Sequence, residues 1–152
     1  METSKKAIIL GSDHGGYALK IQVIDHLKEL GLPYEDIGPY DDTSCDYPDY
    51  ADIACKKIQS GEADRAILIC GTGIGMSMAA NKHDGIRAAV CADTFSARMT
   101  RLHNDANVLC LGERTLGPGL AFDIVDLFLC TEFQGGRHAR RVGKVMDVEK
   151  TR

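Results

Sequence analysis

Five times along the chain, a short apolar run gives way to a stretch with helical spacing. The runs are residues 6–11 (KAIILG), 33–38 (PYEDIG, the weakest), 65–70 (RAILIC), 87–91 (RAAVC) and 107–112 (NVLCLG). After the first, Tyr17, Ile21, Ile24 and Leu27 recur at intervals of four, three and three, marking one face of a helix that ends at Gly31. Pro48 opens a second helix and Gly61 closes it, proline early and glycine late. Further helices are expected over residues 76–82, 95–102 and 120–129, with Gly117-Pro118-Gly119 a stiff turn before the last of these. A basic helix begins near Arg137. Apolar strands, each followed by a helix, predict a five-stranded parallel sheet covered on both faces, with right-handed crossovers. The fold class is α/β, in one domain over residues 1–152.

Composition removes several classes of function. Hydrophobic residues make up 44% and charged ones 26%, which excludes disorder. No apolar run approaches the ~20 residues of a membrane helix. The N-terminal METSKKAIIL has an apolar run too short for a signal peptide, so the expected compartment is the cytoplasm. A net charge of −4 argues against nucleic acid as a partner, so any anion site must be a local cluster. The six cysteines never fall two to four residues apart, which predicts neither a metal knuckle nor a redox pair. Most read as small buried hydrophobes in a reducing compartment.

In parallel sheets ligands bind beyond the carboxyl ends of the strands. There the chain has Ser12-Asp13-His14, Cys70-Gly71-Thr72, Asp93 and Glu113-Arg114, and the function is expected at that edge. The loop GTGIG after the third run resembles a dinucleotide fingerprint, with Asp93 twenty residues beyond Gly73. However, Gly75 comes one position early, Met76 holds the third glycine's slot, and no lysine follows as in a P-loop. Gly71 to Gly75, Ile74 included, read instead as an anion or oxyanion nest before a helix, or simply as a glycine turn. Cys70 borders the nest, where converging amides stabilise a thiolate and arm it as base or nucleophile; otherwise it is one more core cysteine. Thr72 could set its hydroxyl beside the sulfur. Asp13-His14-Gly15-Gly16 leaves an imidazole at a strand end, and His103-Asn104 closes the fourth helix, where a polar cap is the plainer account. Arg137 and Arg141 lie one turn apart and could converge on a phosphate, whereas Arg140 points elsewhere. No aromatic residues interleave with them as in a nucleic-acid patch. The set suits metal-free proton transfer beside a carbonyl of a small anionic substrate.

SDHGG (12–16), DYPDYA (46–51), ICGTGIG (69–75), AANK (79–82), RLHNDANVL (101–109) and GGRHARRV (135–142) resemble, in order, the type B ribose-5-phosphate isomerases. That family is shared with galactose-6-phosphate isomerase subunits. The resemblance implies a Rossmann-like three-layer α/β/α sandwich with an extra C-terminal helix, no cofactor, and a homodimer with shared active sites. It also implies metal-independent interconversion of ribose 5-phosphate and ribulose 5-phosphate. Cys70 matches the base between C1 and C2, Thr72 its assistant, and Gly71, Thr72, Gly73, Ile74 and Gly75 the enediolate loop. His103 matches the ring-opening residue and Asn104 its substrate-binding neighbour. Asp13 and His14 match substrate contacts, and Arg114, Arg137 and Arg141 the phosphate and sugar grips. Having Cys70 and Gly75, the chain is similar to the cysteine branch rather than the one that uses a loop glutamate. Six-carbon sugar phosphates such as allose 6-phosphate or galactose 6-phosphate stay open as substrates. So do a nucleotide-binding oxidoreductase using Asp93 and a non-catalytic sensing module.

Overall fold

The computed structural model describes residues 6–151. The N-terminal reading and the outermost parts of the expected domain, residues 1–5 and 152, lie outside the described residues. The elements run β1 (Ile8–Ser12), α1 (Tyr17–Glu29), β2 (Tyr34–Asp36), α2 (Tyr47–Gln59), β3 (Ala66–Cys70), α3 (Ile74–Ala80), β4 (Ala88–Val90) and α4 (Thr94–Asn104). They continue with β5 (Val108–Gly112), α5 (Pro118–Cys130) and α6 (Arg137–Asp147). Short 3-10 turns cover His14–Gly16 and Val148–Thr151.

The five strands form one parallel sheet in the order β2-β1-β3-β5-β4, so β3 and β5 lie inside it and β4 is an edge. Alternation along the inner strands splits the core. Leu10, Ile67, Ile69, Leu109 and Leu111 pack with α1 and α5 residues such as Val23 and Phe128. Ile9, Leu68, Cys70, Val108 and Cys110 pack on the other face with Ala51, Cys55 and Met76 of α2 and α3. The expected α/β/α layers are present, and α6 packs against α4.

Three expectations shift at residue level. The α1 face that enters the core is Leu19, Val23, Ile24 and Leu27, while Ile21 is 37% exposed. The displacement follows Lys20, which is fully buried because its ammonium reaches Asp36 Oδ1 at 2.7 Å and the Pro39 carbonyl. Pro118 lies in the first turn of α5, where a missing N–H costs no helical hydrogen bond, so Gly117-Pro118-Gly119 starts the helix instead of preceding it. β4 is trimmed to three residues. Along its open edge the Asn81 amide donates to Ala88 O at 2.9 Å and accepts from Ala88 N–H at 2.8 Å, acting as a surrogate strand.

Candidate active site

Cys70 is the last residue of β3 and is 5% exposed. Its Sγ accepts the Gly73 N–H at 3.1 Å, which wraps the loop around the sulfur. That wrap needs φ +79 at Gly73, where a Cβ would stand 2.9 Å from the Leu111 carbonyl carbon and from Val90 Cγ2. The Thr72 hydroxyl accepts the Ile74 N–H at 3.2 Å, so the sulfur's hydrogen bond comes from the backbone and not from Thr72. Two amides of the loop are thus committed, and the nest is narrower than five converging donors. Gly75 faces Tyr47, whose ring would lie 2.8 Å from a Cβ there. Tyr47 belongs to DYPDYA, a motif to which the sequence assigned no role.

Neighbouring strands bring the other carboxyl-edge residues to this loop. Glu113 N–H donates to Cys70 O at 2.9 Å and Arg114 N–H to Gly71 O at 3.0 Å, which sets Arg114 beside Gly71. Asp13 Oδ1 caps the first 3-10 turn through Gly16 N–H at 3.0 Å, and the turn lies against Gly71. His14 is exposed, and its Nδ1 accepts the Cys45 N–H at 3.2 Å, which puts the proton of the neutral ring on Nε2.

Two acids expected at this edge have structural work. Glu113 Oε1 accepts Leu19 N–H at 2.7 Å in the first turn of α1. Asp93 is the N-cap of α4, accepting from Ser96 N–H at 2.6 Å and Ser96 Oγ at 2.9 Å. With Asp93 committed to a helix, the dinucleotide reading loses its ribose partner.

The remaining predicted residues lie elsewhere. After β4, α4 runs back along the sheet, so His103 and Asn104 end at the amino edge. There the Asp105 carbonyl accepts Arg87 Nε at 2.7 Å, just before β4 begins. Cys70 stands at the opposite edge, a sheet-length away, about 13 Å for a five-residue strand. The expectation that all the chemistry shares the carboxyl edge is therefore corrected: within one chain the residues form two groups. The second group borders a cavity of about 720 Å³ between β4, α4 and α6, lined by His103, Asn104, His138 and Arg141 among others. Arg137 and Arg141 are exposed on α6, one turn apart; of the three arginines only Arg141 lines the cavity, and Arg137 and Arg140 do not.

Burial pushes the Cys55 thiol up to about 12, Cys91 to about 11 and Cys110 well above the ordinary thiol value, so these three stay protonated at neutral pH. Among the described residues no three His, Cys, Asp or Glu side chains are grouped to hold a metal, and no helix is long and apolar enough to cross a membrane.

A family model described as Ribose/Galactose Isomerase matches residues 8–145. Ribose-5-phosphate isomerase B of Escherichia coli K12 is 46% identical over 147 residues, covering 97% of this chain and 99% of its own length. The structure of Clostridium thermocellum ribose-5-phosphate isomerase B superposes with a TM-score of 0.94 at 56% identity, over 95% of this chain and 98% of that one. The Mycoplasma genitalium enzyme of the same name, solved with bound ribulose-5-phosphate, gives a TM-score of 0.91 at 42% identity, over 98% and 99% of the two chains. Matched along nearly its whole length by the family model and by these relatives, the chain belongs to the ribose/galactose isomerase family and is an isomerase of its type B ribose-5-phosphate branch.

Proposed function

We propose that this single-domain cytoplasmic protein interconverts ribose 5-phosphate and ribulose 5-phosphate through an enediolate, in sites shared between the two chains of a homodimer. His103 gives a proton to the ring oxygen as the anomeric hydroxyl loses one, opening the furanose to the aldehyde. The Cys70 thiolate then takes the C2 proton, and the electron pair moves through C1 onto its oxygen. The enediolate oxygens rest against the uncommitted amides of the loop from Gly71 to Gly75. Cys70 returns the proton to C1 while Thr72 relays the O2 proton to O1. C2 is oxidised and C1 reduced by the same electron pair, so the step needs no external oxidant. Asp13, His14, Asn104 and Arg114 hold the sugar, and Arg137 and Arg141 hold the phosphate.

The observation that carries this reading is the Gly73 N–H on Cys70 Sγ, which ties the thiol at a strand's carboxyl end to the loop beside it. The shared site is supported by the position of His103 at the opposite sheet edge, since one substrate can meet both residues only if they come from different chains. The test is turnover of ribose 5-phosphate with EDTA present, beside allose 6-phosphate and galactose 6-phosphate, while following exchange of the C2 proton with solvent. Turnover that survives Cys70→Ala undiminished, or turnover that only an added metal restores, would overturn the mechanism.

A further inference from the structure

Five histidines occur in the chain, and three are oriented by hydrogen bonds. His26 Nε2 meets Asp126 Oδ1 at 2.7 Å, His83 Nε2 meets Asp52 Oδ1 at 2.9 Å, and His14 Nδ1 takes the Cys45 N–H. The other two have each other. The His103 and His138 rings stack with centroids 4.1 Å apart and planes 9° from parallel, and among the described residues neither imidazole is held by a hydrogen bond. His138 is 8% exposed in a helix whose first turn is otherwise open to solvent. Its placement is built by the backbone. Gln134 N–H donates to Leu102 O at 3.1 Å, tying the linker to the end of α4. Gly135 and Gly136, at φ +68 and +58, then turn the chain so that α6 starts with His138 against His103.

We infer that His138 is a positioning residue for His103, fixing by face-to-face packing the plane in which that imidazole meets a cyclic sugar phosphate. The inference rests on the reading of His103 as the ring-opening group. Both rings border the same cavity, so the stack covers one face of His103 and leaves its rim open. A polar partner in place of His138 would compete for the nitrogens that must reach the substrate; a flat ring does not. The charges around the pair suit this role. Burial, followed by repulsion from His103, Arg137 and Arg141, lowers His138 from the ordinary histidine value, which favours the neutral ring in the stack. The cavity's other charged groups are committed. Arg87 pairs with Asp105 at 3.4 Å, and Glu149 Oε1 accepts Gly85 N–H at 2.8 Å.

The experiment separates two partial reactions of the intact enzyme. Conversion of ribose 5-phosphate requires ring opening. Exchange of the C1 proton of ribulose 5-phosphate with deuterated solvent does not, because that sugar cannot close to a furanose. His138→Ala is expected to slow the first by about tenfold or more and the second by less than about twofold, as a misplaced but present His103 should. His138→Phe keeps a flat ring against His103 and should restore conversion to within about threefold of wild type. Adding His138→Ala to His103→Ala should change neither reaction further, since His138 acts through His103. A purely structural His138 would lower both reactions together, and that result overturns the inference, as does a Phe variant that restores nothing. His103→Ala is the reference: if it fails to separate the two reactions, the ring-opening assignment itself falls and the positioning role falls with it. If it separates them and His138→Ala does not, only the positioning role is lost.

Discussion

The Gly73 N–H points at Cys70 Sγ from 3.1 Å, so the thiol that ends β3 is held by the loop that begins α3. Replacing Cys70 by Ala should leave sugar phosphate binding intact while slowing C2 proton exchange by about 10²–10⁴-fold, the usual contribution of a positioned base. Iodoacetamide near neutral pH should label Cys70 and spare Cys55, Cys91 and Cys110, whose burial keeps them protonated. Saturating ribose 5-phosphate should block the Cys70 label but not that on Cys130, which is exposed at the end of α5. A Cys70→Ala enzyme with near wild-type exchange would reduce the thiol to a packing residue.

The same contact makes Gly73 costly to change. Gly85 has nearly the same φ, +80, but nothing within 4 Å of a Cβ, so Gly85→Ala isolates backbone strain, about 1–2 kcal/mol. Gly73→Ala adds a clash with Leu111 and Val90 and should be the more destabilising of the two, beyond about 2 kcal/mol. It should also lower kcat by moving the N–H off the sulfur. Urea denaturation compared with turnover measures both effects, and equal stability losses for the two variants would count against the tight loop.

On α6, Arg137→Ala and Arg141→Ala should each raise KM for ribose 5-phosphate roughly 10–100-fold, by removing a charge-assisted contact of about 1.5–3 kcal/mol. Arg140→Ala should change KM less than about twofold, as expected of an exposed charge. Steady-state kinetics of the three variants decides the matter. Three equal effects would make the helix a general basic surface.

What the sequence made legible follows physical rules of different reach. Strands such as Ile67 to Ile69 and Leu109 to Leu111 were readable because a buried parallel strand has no polar face to hide. The thiol at the mouth of GTGIG was readable because strand end, cysteine and glycine loop are contiguous. Ile21 was misassigned because a buried Lys20 breaks the apolar code, and its partners, Asp36 and the Pro39 carbonyl, are remote in sequence. Tyr47 over Gly75 and His138 over His103 are contacts between elements, which no local pattern encodes. The position of His103 did carry a signal. A helix that follows a parallel strand must run back, so a residue in the last turn of α4 belongs at the amino edge, away from Cys70.

Acid should weaken the fold in two stages. The neutral form of His138 is favoured in the folded protein, mainly by burial, so its pKa is depressed from 6.5 and the unfolded chain takes up the proton first. Stability is therefore lost as pH falls below about 6.5. Asp52, hydrogen-bonded by Lys56 and His83, and Asp93, by Ser96, lie below the ordinary 3.8, so their contribution persists until pH falls through that value. Urea melts at about pH 7.5 and about pH 5.5 should show a smaller loss for His138→Phe than for wild type. An equal loss would place the first stage at another group.

The last prediction concerns the distance between Cys70 and His103. They lie at opposite edges of one sheet, so if both act on one substrate the partner chain must supply one of them. In a dimer of a Cys70→Ala chain with a His103→Ala chain, one site then has both residues intact and the other has neither. Random reassortment of equal amounts makes about half of all dimers mixed, so about a quarter of wild-type activity should appear from two inactive proteins. The variants are mixed, exchanged under mild denaturant, returned to buffer and assayed with ribose 5-phosphate; each variant treated alone should stay inactive. Should the mixture also stay inactive after heterodimers are verified by mass spectrometry, each site would be complete within one chain. His103 could not then be the group that opens the ring for Cys70, because α4 carries it to the far edge of the sheet.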